Sequence, residues 1–218
     1  MARARQTARR TVGRRNGSTH GAGRGASGSG KLASTARAGG RRAPAERARG
    51  ARASRSGTDA AQVLKRQHDE ALELFRILAG ASGDERRSTF LRLADVLAAH
   101  ATIEERLLYS ELTRHDETGD LARDAVEEHL AMKRLLADML EEQLSDEVFD
   151  AKRRVLEDEV RRHVEEEERR LLPRAAKLVG RERMAELGAE LERTFGELMQ
   201  HEPRRNLPRE AEGTPVLH

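Results

Sequence analysis

The chain has 218 residues, with 41 Lys or Arg and 38 Asp or Glu, and no cysteine. The missing thiols exclude disulfides, zinc–thiolate sites, iron–sulfur clusters and thiol catalysis, and leave His, Asp and Glu as the strong metal ligands. The near-neutral total conceals two opposite parts: residues 1–57 carry 15 Lys or Arg against the single acid Glu46, about +14, and the remainder is about −11.

Residues 1–57 are Gly, Ala, Ser and Arg with almost no large apolar side chains. Such a segment cannot bury enough surface to offset the entropy of ordering it, so a disordered basic tail is expected. No apolar run approaches the roughly 20 residues that span a bilayer. The pairs Arg9-Arg10 and Arg14-Arg15 are not followed by an apolar export segment, which points to a cytoplasmic location and no membrane partner. A mitochondrial transit peptide ranks second, because the tail lacks an apolar helical face.

After Gly57 the apolar residues recur at three and four, and no proline occurs until Pro173, so the rest reads as all-α. A first helix is expected from Thr58 or Asp59 to about Ala79, ended by Gly80 to Gly83, and a second from Asp84 to about Arg114. The segment His115 to Asp120 reads as a polar turn, followed by a third helix to about Gln143. Ser145 caps a fourth helix that reaches Leu172, where Pro173 kinks or closes it. A fifth, weaker helical segment spans Arg181 to Gln200 with Gly188 and Gly196 inside it, and Glu202 to His218 read as a flexible tail. The expected architecture is an up-down-up-down four-helix bundle over residues 58–173, an additional C-terminal helical segment over 174–201, and tails at both ends.

The apolar stripes of the four long helices carry polar residues. They run Leu64, His68, Ala71, Phe75, Leu78; Leu93, Leu97, His100, Glu104, Leu107; Ala125, His129, Met132, Leu136, Met139; and Leu156, Val160, His163, Glu167, Leu171. The strings after His100 and His163 are similar, an internal repeat. A single inward histidine is more often a hydrogen-bonded core residue than a ligand, and a single His-x-x-x-Glu is weak. Four inward histidines, one per helix, with two such pairs at matching places, are a joint pattern of another order. Burying four imidazoles and two carboxylates would be costly without compensation, and a pair of dications supplies it. His20, His115, His201 and His218 have no such setting and are read as solvated, as are Glu165, Glu166 and Glu168.

These residues resemble the hemerythrin HHE cation-binding family, whose bacterial members place His, His-x-x-x-Glu, His and His-x-x-x-Glu on four successive helices. Here these are His68, His100 with Glu104, His129, and His163 with Glu167, over about residues 59 to 173. Asp59 to Lys65 leading to His68, and Glu104-Glu105 followed by Leu107-Leu108-Tyr109, are similar too. Oxygen-carrying hemerythrins place another histidine one turn after the first on the third helix; that position here is Lys133. The resemblance implies two non-haem irons, one held by His68 and His100 and the other by His129 and His163, with Glu104 and Glu167 bridging. Ferritin-like bundles need Glu-x-x-His, and the residues three before the histidines are Lys65, Leu97, Val126 and Val160. Neither His-Glu-x-x-His nor a phosphate-binding loop occurs in the folded part.

The expected function is therefore a di-iron protein that binds or reacts with dioxygen, peroxide or nitric oxide, in sensing, stress protection or iron handling; whether it turns substrate over is open at this level. The alternative is a helical binding module tethered to DNA or RNA, non-specifically, by the basic tail.

Overall fold

The computed structural model describes residues 58–141 and 145–213; the expected basic tail and the last five residues lie outside the described residues. Among the described residues the chain is helical, with no strand: α1 (Ala60–Gly80), α2 (Gly83–Ile103), α3 (Ser110–Leu112), α4 (Asp116–Glu141), α5 (Asp146–Glu166), α6 (Leu172–Val179), α7 (Arg181–Met199) and α8 (Leu207–Glu212). No helix among them is long and apolar enough to cross a membrane.

Local chemistry sets several of these boundaries. Asp59 closes a capping box on α1: its Oδ1 accepts from the Gln62 amide at 3.0 Å, and Gln62 Oε1 accepts from the Asp59 amide at 3.3 Å. Ser145 caps α5 through the Val148 amide, as its place in the sequence suggests. The turn before α4 is shorter than expected. Asp116 and Glu117 already lie in the first helical turn, where acids favour the positive end of the dipole, and the Thr118 hydroxyl donates to the Leu112 carbonyl at 2.8 Å.

The second and fourth predicted helices each contain a wider turn. Residues Glu104–Tyr109 and Glu167–Leu171 are π-helical, so both turns begin at the glutamate of a His-x-x-x-Glu pair. Pro173 does not close the fourth helix. It falls at the second position of α6, directly after the π turn, and the chain stays helical to Val179. Gly180, at φ 83°, then redirects it into α7.

Two apolar clusters make up the core. One gathers Val63, Leu64, Ile103, Leu108, Leu172 and Leu187; the other gathers Phe75, Leu78, Leu93, Leu136, Leu156 and Leu207. On α1, α2, α4 and α5 the inward histidines fall between the residues given to the two clusters, so a polar layer separates two oily ones. α1 packs on α2, α5 and α7, α4 packs on α5, and α2 also touches α4 and α7.

The expected helix over Arg181 to Gln200 is present as α7, where Gly188 permits contact, since a Cβ there would lie 2.2 Å from the Thr58 carbonyl oxygen. One expectation about the C-terminal part needs correction. Residues 202–213, read from sequence as a flexible tail, form a 3-10 turn (Pro203–Asn206) and α8, which packs on α4. Fully buried Leu207, an Arg204–Asp95 ion pair and the 3.2 Å bond from Arg134 Nε to the Ala211 carbonyl hold them there. One leucine and two polar contacts in a hydrophilic stretch leave too faint a periodicity to read.

Candidate metal centre

All six residues singled out from the sequence, His68, His100, Glu104, His129, His163 and Glu167, are buried, none more than 6 % exposed. They converge in two overlapping groups. His68, His100, Glu104 and Glu167 each offer an atom within 4.8 Å of the others, and so do Glu104, His129 and His163. Only Glu104 is common to both; Glu167, expected to be shared, joins the first alone. His68 Nε2 lies 3.3 Å from Glu167 Oε2, and Glu104 Oε2 lies 3.2 Å from His100 Nε2 and 3.3 Å from His129 Nε2. Of the histidines read as solvated, His201 is exposed and His115 half-buried, and neither joins the cluster; His20 and His218 lie outside the described residues.

Every imidazole turns its Nδ1 outward to a partner on another segment. The distances are 2.9 Å from His100 to Gln67 Oε1, 3.0 Å from His129 to Glu105 Oε1, 2.9 Å from His163 to Glu128 Oε2 and 2.9 Å from His68 to Glu168 Oε1. An ionised carboxylate can only accept, so Nδ1 carries a proton in the three carboxylate pairs, and in a neutral ring so held Nε2 presents a lone pair to the interior. Each partner is the sequence neighbour of a cluster residue yet serves a histidine from the next helix, closing a ring from α1 through α2, α4 and α5 back to α1.

The sequence reading missed these partners. Glu168, read as a solvated residue, is only 27 % exposed at its side chain and binds both His68 and Lys65. Adjacency to a ligand candidate was the available signal, but it does not say which helix the neighbour faces. Tyr109 was missed as a site residue as well. Its buried hydroxyl lies 3.2 Å from Glu104 Oε2 and 3.1 Å from Glu167 Oε1, linking the two carboxylates. It is the chain's one tyrosine, and that was its signal.

The donor set suits cations on a structural ground. His68 Nε2, His100 Nε2, Glu104 Oε1 and Glu167 Oε2 are buried with no hydrogen-bond partner; outside the cluster, among the described residues, only Arg153 Nε shares that state. His129 Nε2 and His163 Nε2 face each other at 3.2 Å, and with both Nδ1 protons directed outward these are two lone pairs in opposition. Buried polar atoms left in this way are costly unless something binds them. Imidazole and carboxylate are ordinary ligands for first-row metals.

Charge is distributed unevenly. Burial lowers His68's affinity for a proton, but the Glu167 and Glu168 carboxylates outweigh it and hold its pKa above the ordinary value. His100, whose Nδ1 partner is a neutral amide, is driven well below it by burial and by nearby His68. Burial likewise takes His129 to about 4. Burial and the Glu167 charge push Glu104 well up, whereas for Glu167 the His68 contact prevails over burial and holds the carboxyl below its usual range. Two carboxylates this close cannot both ionise freely without a cation between them.

Two cavities abut the cluster. One offers about 20 Å³ of room for the centre of a water-sized sphere, enough for about one small molecule, and is walled by Ala71, Val96, Leu97, Met132, Leu136 and Val160 beside the four histidines. Lys133 also lines it, with its ammonium 3.0 Å from both Glu105 oxygens and 3.3 Å from Glu210 on α8. The second carries four carboxylates, Asp124, Glu128, Glu166 and Glu167, among apolar Leu121, Ala125 and Leu171, and His163 lies in the wall of both.

A helical fold with a buried His/Glu cluster of this kind defines a cation-binding helical protein. The chain belongs to the hemerythrin family: the model of the hemerythrin HHE cation-binding domain matches residues 59–175, more than half its length. No curated protein and no solved structure matches the chain.

Proposed function

We propose that the chain is a non-haem di-iron protein in which His68 and His100 hold one iron and His129 and His163 the other, with Glu104 shared between them and Glu167 on the first. The iron pair would meet dioxygen, peroxide or nitric oxide, in sensing, stress protection or iron handling. The observation that carries this reading is the set of four buried atoms without a hydrogen-bond partner, all on residues of the first metal-suited group, beside a second group that shares Glu104. Family membership favours iron among the metals this donor set could take. We read α1, α2, α4 and α5 as an up-down-up-down bundle, supported by the contact of each with the next and of α5 with α1.

An iron pair, when bound, supplies a redox-active centre with positions for small ligands. The residues of the chain do the rest. The Nδ1 partners fix each imidazole's tautomer and direction. The Tyr109 hydroxyl can donate to either glutamate and restrain it. The first cavity admits a diatomic-sized molecule and has little room for bulk water.

Metal analysis with an optical spectrum tests the reading. Wild type is expected to carry about two irons per chain and to show ligand-to-metal absorption, and His163→Ala to lose iron. A wild type that purifies and remains equally stable without metal, and takes none up, refutes it.

The charge of residues 1–57, about +14, supports a second role that is compatible with the first, holding DNA or RNA non-specifically. Salt-sensitive duplex binding that disappears on deleting residues 1–57 is the expected result; unchanged binding removes the role.

A further inference from the structure

Resting on the di-iron reading, we infer that the acidic cleft between α4 and the end of α5 is the route by which divalent cations enter the cluster. The cleft is lined by Asp124 and Glu128 on α4 and by Glu166 and Glu167 around the start of the π turn, with His163 beside them and Leu121, Ala125 and Leu171 completing its walls. Its carboxylates are graded in depth. Asp124 is exposed and makes no ion pair among the described residues. Glu166 is exposed and pairs with Arg170 at 3.2 Å. Glu128 is half-buried and accepts from His163 Nδ1 and Arg162. Glu167 is 3 % exposed, and its Oε2 has no hydrogen-bond partner.

This gradient matches the needs of a hydrated divalent ion, which sheds water only as protein oxygens replace it. Asp124 and Glu128 stand one helical turn apart, so a cation passed from the surface meets a further carboxylate within about 6 Å. The first cavity is the poorer path. Beyond the histidines and Gln67 its walls are aliphatic, it has no carboxylate in its lining, and it contains the Lys133 ammonium, which disfavours a cation and leaves that side to small uncharged molecules. The two cavities thus divide the work, metal on one side and ligand on the other.

Loading kinetics test the route. Full-length protein stripped of metal by a chelator is mixed with Co²⁺, and uptake is followed by visible absorbance, with final cobalt measured per chain. Asp124→Asn/Glu166→Gln is compared with Asp120→Asn/Glu165→Gln, which removes the same charge from the same two stretches of chain outside the cleft. The cleft pair is expected to load about tenfold more slowly and to reach the same cobalt content, while the control pair follows wild type. The wild-type rate should also fall with added salt more steeply than that of the cleft pair. Equal rates in all three proteins, or equal slowing in both variants, overturn the route. If wild type binds no cobalt and no iron, the di-iron reading fails and the route with it; normal wild-type loading with an unaffected cleft variant removes the route alone.

Discussion

The imidazole of His68 on α1 is held at its Nδ1 by Glu168, 2.9 Å away, the residue that follows the inward Glu167. The same arrangement recurs around the cluster, so the outer partners of the candidate ligands are carboxylates in three cases and an amide, Gln67, in the fourth. A carboxylate partner raises the basicity of the imidazole and fixes Nε2 as the free nitrogen.

Glu168→Gln and Glu128→Gln are therefore expected to keep the helical fold and to weaken metal binding about 10- to 100-fold. Competition with a chelator of known affinity measures this. Glu165→Gln, an exposed neighbour paired with Arg169, should leave affinity unchanged.

Tyr109→Phe removes the hydroxyl shared by Glu104 and Glu167 without changing the packing of its ring. Metal-free protein should lose about 1–3 kcal/mol, the penalty for buried polar atoms left unsatisfied, as read by urea unfolding followed by circular dichroism. An unchanged midpoint would show that the hydroxyl restrains neither carboxylate.

His129 has a folded pKa of about 4 against an ordinary value of 6.5, because burial disfavours its charged form. Below pH 6.5 the unfolded chain takes up a proton that the folded chain refuses, so this group's contribution to stability falls between pH 6.5 and 4 and levels off below that. Metal-free wild type should lose roughly 3 kcal/mol relative to His129→Gln over that window. Parallel stability–pH curves for the two proteins would contradict the assignment.

Two glycines of α7 should respond oppositely to alanine. At Gly188 a Cβ would sit 2.2 Å from the Thr58 carbonyl oxygen, and at Gly196 it meets nothing within 4 Å. Gly188→Ala is expected to destabilise by about 1–3 kcal/mol through overpacking, and Gly196→Ala to stabilise by about 0.5–1 kcal/mol through helix propensity. Thermal melts of the two variants give the comparison.

The sequence by itself determined the helical class, because the apolar residues recur with a helical period from Asp59 onward. It also determined the six polar residues of the cluster, because each interrupts an otherwise apolar stripe at a spacing that an α-helix aligns. Tertiary structure alone decided how those residues are held. Glu105, Glu128 and Glu168 lie off the stripes, and only the placement of a second helix turns each toward an imidazole. Tyr109 was hidden for a geometric reason. Five residues along an α-helix point about 140° apart, whereas the π turn from Glu104 to Tyr109, with its i→i+5 pitch, brings the two side chains together. α8 was hidden as well, since the buried Leu207 and the Lys133–Glu210 pair are long-range contacts that a six-residue, largely hydrophilic segment does not announce. A periodic pattern shows which face of a helix turns inward; what that face meets depends on helices far away in the chain.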